Sequence, residues 1–123
     1  MHSSMIAFVA ASSVALGCAT FPVPTQRLAD AQSAERSATE LGAATQPKAQ
    51  LHLQLAHEQI VQADAAMKEG DNERADGLLL RAKSDAELAI ALTRDQSAKT
   101  EAHKATTDSN AQRATNINQG ATP

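Results

Sequence analysis

Residues 47–92, PKAQLHLQLAHEQIVQADAAMKEGDNERADGLLLRAKSDAELAIAL, decide the fold. Within them Ala49, Leu53, Ala56, Ile60, Ala63 and Met67 recur at steps of four and three, the spacing of a coiled-coil seam that keeps one stripe of a helix facing a neighbour. Leu51 and Leu55 add a second row that widens the stripe. Pro47 suits the first turn of such a helix, where its missing N–H costs nothing. At the other end Gly70 supplies a left-handed stop and Asp71 an N-cap for the next helix. A link of about two residues forces the helices on either side of it to run antiparallel. The second of them carries Ala75, Leu79, Ala82, Ala86 and Ala89 on the same spacing, with Leu78, Leu88 and Leu92 beside it. Its Gly77 is a local weakness of about 1 kcal/mol relative to alanine.

Towards the N-terminus the pattern repeats. Thr25 is placed as an N-cap, and Leu28, Ala31, Ala34, Ala38 and Leu41 make one more stripe that Gly42 closes, leaving 42–46 as a turn. The predicted fold is all-α: an antiparallel helical hairpin or a three-helix bundle over residues 25–105, with a long C-terminal helix. At 1.5 Å per residue the 47–69 helix is about 33 Å long, whereas a last helix reaching residues 105–112 approaches about 55 Å. Its far end, from about Asp95 to Ala111, therefore lacks a partner within the chain. Past Leu92 the stripe thins to Thr93, Gln96, Ala98, Ala102 and Ala105, and the Thr, Asn, Ser, Gln and Gly beyond them predict a helix end and disordered tail over 106–123.

Alanine in the seam lets helices approach to about 8 Å, yet each contact removes little apolar surface from water. The predicted bundle is therefore marginal, helped by alanine's propensity and by exposed pairs such as Asp64 with Lys68, Arg81 with Asp85 and Lys83 with Glu87, each worth a few tenths of a kcal/mol. Self-association or a partner helix would complete the burial.

The first 24 residues carry a different message. An apolar run from Met5 to Leu16 leads through Gly17 to Cys18, the only cysteine. About 12 residues are too few to cross a hydrocarbon core of about 30 Å as a helix. The pattern reads as a lipoprotein signal peptide over 1–17, with Cys18 accepting lipid, palmitate included, at the cut. Residues 18–24 then form a lipidated linker in which Pro22 and Pro24 favour extended backbone. Ala19, where a retention signal would place Asp, points to the outer membrane, and the chain then faces the periplasm.

Composition excludes several classes. A formal net charge of −3 argues against non-specific nucleic-acid binding. Aromatic residues are 2% of the chain, and Phe8 and Phe21 both lie in or near the signal, so the helical region has none. With one cysteine, no disulfide can form within the chain. His52 and His57 are five apart, about 140° around a helix, and so cannot act as a same-face zinc pair. His103 stands without a histidine or cysteine neighbour, and Glu58 with Asp64 is explained by a solvated face. No Gly-rich phosphate loop, Gly-x-Ser-x-Gly turn or His-Glu-x-x-His occurs. These readings leave no catalytic, cofactor-binding or metal residues, no small-molecule substrate, and no enzyme.

One resemblance is carried by five parts in order: an alanine-rich helix over Leu28–Leu41, Gly42-Ala43, a proline-started helix over Pro47–Met67, Gly70-Asp71, and a long alanine-rich helix from Ala75. From Leu28 to about Ala105 the chain resembles the alanine-rich domain of unknown function found in short proteobacterial lipoproteins. The resemblance implies an outer-membrane lipoprotein, in a group where some members carry a peptidoglycan-binding domain like that of outer-membrane protein A, and it brings no catalytic residues. The Gly70-Asp71 turn with Ala75 and Leu79 is also similar to a tetratricopeptide helix pair, without its aromatic positions or a second copy at the 34-residue period. The expected function is a lipid-anchored, non-catalytic interaction or spacer module of the cell envelope. The alternatives are a self-associating coiled-coil lipoprotein and a tetratricopeptide-like adaptor for an envelope enzyme.

Overall fold

The computed structural model describes residues 20–120, which form three helices: α1 (Thr25–Glu40), α2 (Pro47–Lys68) and α3 (Asn72–Gly120), with a single 3-10 turn at Ala43–Thr45 between the first two. The stretch predicted as a signal peptide, residues 1–17, and Cys18 lie outside the described residues. The bundle is the three-helix alternative: α2 runs antiparallel to α3, and α1 packs against both.

Glycine ends both short helices. Gly42 and Gly70 have φ of 86° and 81°, a left-handed conformation that costs other residues about 1–2 kcal/mol. At the end of α2 the Gly70 N–H donates to Met67 O and the Asp71 N–H to Ala66 O, so two carbonyls of the last turn are satisfied as the chain reverses. Asp71 then caps α3, its Oδ1 accepting the Arg74 N–H at 3.2 Å. Pro47 opens α2 as its first residue. Thr25, by contrast, is not the cap of α1. Pro24 takes that place and Thr25 is the first helical residue, because Pro24, which is buried, already has the chain turned into the helix with its carbonyl accepting the Leu28 N–H.

Burial follows the alanine stripes. One cluster joins Ala31 of α1 to Ile60, Ala63 and Ala66 of α2 and to Ala75, Leu78, Leu79 and Ala82 of α3, with Leu28 and Met67 partly buried against it. A second, at the other end, joins Ala38, Ala43, Ala49 and Ala89, flanked by Leu53, Ile90 and Leu92. Ala56 and Ala86 are buried between the two clusters. Leu79 is the only large side chain that is fully buried among the described residues. Small side chains let helix backbones approach closely, with correspondingly little apolar area removed from water.

Two further expectations need correction. Leu41 does not belong to the seam: α1 stops at Glu40, and Leu41 turns away with the chain, 44% exposed. The chain is also not disordered from Thr106, since α3 continues to Gly120 and, at 49 residues, is about 74 Å long. No proline or glycine interrupts it between Gly77 and Gly120. Along that stretch the hydroxyls of Thr100, Thr106, Thr107 and Thr115 fold back onto the carbonyl four residues earlier instead of drawing the backbone out of the helix.

Candidate functional site: the unpaired end of the third helix

The seam positions divide by element. In α2, Ala56, Ile60 and Ala63 are buried while Leu53 and Met67 are partly so; in α3, Ala75, Leu79, Ala82, Ala86 and Ala89 are all buried; in α1, Leu28 is partly buried. Leu51, read as a second row, is 56% exposed. The stripe ends at Thr93, which is buried and donates its hydroxyl to Ala89 O at 2.8 Å. From Arg94 onward every described residue of α3 is exposed.

Thr93 is thus the boundary between two halves of one helix. From Asn72 to Thr93, α3 is a bundle helix. From Arg94 to Gly120 it is a single helix of about 40 Å with solvent on all sides. Its charges alternate in sign along the chain, as Arg94, Asp95, Lys99, Glu101, Lys104, Asp108 and Arg113. Lys99 closes on Asp95 at 2.6 Å, an exposed i,i+4 pair that supports the helix weakly. A groove marks the point of departure, where Gln46, Pro47 and Lys48 at the start of α2 face Leu92, Asp95, Gln96 and Lys99.

The histidines have structural partners. Their angular separation, which excludes a shared face, points them at different helices: His52 Nδ1 lies 2.9 Å from Asp85 Oδ1 on α3, and His57 Nδ1 lies 2.7 Å from Glu35 Oε1 on α1. Because a carboxylate only accepts, each ring carries its proton on Nδ1. Asp85 also accepts from Gln59 Nε2 at 2.8 Å, so one carboxylate on α3 holds two side chains of α2. The expected Arg81–Asp85 pair is replaced by this arrangement, because Asp85 points across to the partly buried donors of α2, whereas Lys83 and Glu87 do approach, at 3.8 Å. Sequence reasoning missed the His52–Asp85–Gln59 contact. The available signal was that His52 and Gln59 lie within the arc of the α2 seam, but their partner's identity depends on interhelical register.

At the opposite end, Asn72 Nδ2 donates to Phe21 O at 2.9 Å, and Arg27 of α1 pairs with Asp76 of α3. The starts of α1 and α3 are therefore side by side, and both helices run in the same direction. No group of three or more His, Cys, Asp or Glu is placed to hold a metal among the described residues. None of the described helices is long and apolar enough to cross a membrane.

These features define a class: an alanine-packed three-helix bundle from which one helix projects beyond the other two. The chain belongs to the family described as a domain of unknown function, DUF4398, whose profile matches residues 26–105. That span holds the bundle from the second residue of α1 and continues into the unpaired part of α3 as far as Ala105. No curated protein and no solved structure matches the chain.

Proposed function

We propose that this chain is a lipid-anchored lipoprotein, facing the periplasm from the outer membrane, whose bundle is a non-catalytic platform and whose projecting helix is the part that contacts or spaces other envelope components. The observation that supports this reading is the unpaired half of α3. A chain that needed only a stable bundle could stop at Thr93, whereas here the helix carries on from Arg94 to Gly120 without burying a residue. Anchoring is supported by the apolar run ending at Cys18. A contact or spacing role is supported by the uninterrupted exposure of α3 beyond Thr93 and by histidines already engaged with Asp85 and Glu35.

The test has two arms. In cells fed labelled palmitate, the protein takes up label and Cys18→Ala abolishes uptake and releases the chain from membranes; an unlabelled wild-type chain in the soluble fraction defeats the anchoring half. Ending the chain after Arg94 leaves the bundle folded and removes crosslinks to neighbouring envelope proteins. Retention of the same crosslinks by the shortened chain defeats the contact half.

A further inference from the structure

We propose that the end of the bundle bearing Phe21, Val23 and the Gly70-Asp71 turn lies against the lipid surface, so that α3 stands away from the membrane as a mast with its unpaired half outermost. The inference rests on lipid attachment at Cys18 and adds an orientation to it.

Residues 21–24 are not a free tether. The Phe21 carbonyl is held by Asn72, the Val23 carbonyl accepts the Thr25 N–H at 2.9 Å, and Pro24 is buried with its carbonyl bonded into α1. Only Ala19 and Thr20 separate Cys18 from the first residue pinned to the bundle, a span of at most about 11 Å of extended chain. A bundle held that closely has little freedom to swing.

The pinned point also fixes which way the helices run. Asn72 is the first residue of α3, and the Arg27–Asp76 pair places the start of α1 beside it, so α1 and α3 both lead away from this end. Phe21 and Val23 are 43% and 56% exposed there, apolar side chains three and five residues from Cys18. Phe21 is the only aromatic side chain among the described residues. Such groups gain by entering the boundary between headgroups and acyl chains, where the lipids on Cys18 would already be inserted.

The competing arrangement, α3 lying flat on the surface, requires an apolar face opposite a basic one. Beyond Thr93 the only large apolar residue is Ile117, and the charges alternate in sign instead of collecting on one face. From the pinned end the axis of α3 extends about 74 Å, about 40 Å of it past the bundle.

The test attaches the chain chemically, so that its outcome does not depend on acylation in cells. The polypeptide from Cys18 to Pro123, which contains every residue of the described fold, is coupled through its single thiol to a maleimide-bearing lipid in dilute amounts on phosphatidylcholine vesicles. Energy transfer to a headgroup acceptor is then compared for a donor dye at Glu73→azidophenylalanine and at Asn118→azidophenylalanine. Transfer several-fold weaker from position 118 than from position 73 is expected, and equal transfer from the two overturns the proposal. Inserting a six-residue Gly/Ser segment between Ala19 and Thr20, which leaves the bundle untouched, is expected to narrow the difference; an undiminished difference shows that the short tether does not orient the molecule and also overturns it. Absence of palmitate on the cellular protein would sink the anchoring reading while leaving this measurement intact.

Discussion

The two halves of α3 are one continuous helix built on opposite terms. From Asn72 to Thr93 its inward positions are alanine and leucine, and they are buried by α1 and α2. From Arg94 to Gly120 the same steps of four and three meet Gln96, Thr100, His103 and Thr107, and nothing covers them. Tertiary packing holds the first half. The second is held by its own backbone bonds, by side chains without a breaker among them, and by continuity with a helix that is already nucleated. The cost of nucleation is met in the bundle, so each further turn need only match propagation.

Removing Leu79 is the hardest blow to that contrast. It is fully buried at the junction of all three helices, and Leu79→Ala should destabilise by about 2–5 kcal/mol, a large share of a small domain's total. The comparable change in the other half, Ile117→Ala, removes a side chain that is 71% exposed and should shift stability by no more than about 0.5 kcal/mol. Urea unfolding followed by circular dichroism measures both. Similar losses from the two would mean that the tip of α3 is buried against something, a second copy of the chain included.

Backbone geometry comes next. Gly70→Ala forces a side chain into φ of 81°, at a cost of about 1–2 kcal/mol, although no atom lies within 4 Å of the new Cβ. The thermal midpoint should fall from conformational strain alone, and Gly70→Asn should recover part of the loss because asparagine tolerates that region better. Equal midpoints for Ala and Asn would locate the cost elsewhere. Asp85→Ala should cost about 1–2 kcal/mol, since it leaves His52 and the Gln59 amide facing a partly buried space without an acceptor. A double-mutant cycle with His52→Ala should show coupling, and strict additivity would show that the two side chains do not act together.

What could be read from sequence divides along the same boundary. The stripe from Ala49 to Ala89 was legible because steps of four and three report helical faces directly, and Pro47, Gly70 and Asp71 mark boundaries through chemistry local to each residue. The Asp85 contacts were not legible, since they join residues more than twenty-five positions apart and depend on the register of α2 against α3. Thr25 misled because a good capping residue stands next to Pro24, which turns the chain one position earlier. The tail misled for a related reason: Thr, Asn and Ser have low propensity for helix interiors, and a composition rule cannot see that here they extend a helix begun well before them. Of the candidate site, its existence as an overhang was legible from the difference in helix lengths, and its full extent was not.

The smallest effect on the bundle should come from the change that alters the overhang most. Ala105→Pro removes an N–H and clashes with the preceding turn, which breaks a helix interior by about 3 kcal/mol. That energy is local. Because no bundle residue touches α3 beyond the region of its departure near Thr93, the urea midpoint of the cooperative transition should move by less than about 0.5 kcal/mol, while the helical signal in water falls by the turns beyond the break. In the unmutated chain, residues past the break position should also melt first and gradually, since an isolated helix of that length is marginal in water. The sharpest reading comes from concentration. If the overhang is single, its helicity is the same at micromolar and millimolar protein; if copies pair along it, helicity rises with concentration and Ala105→Pro abolishes the rise.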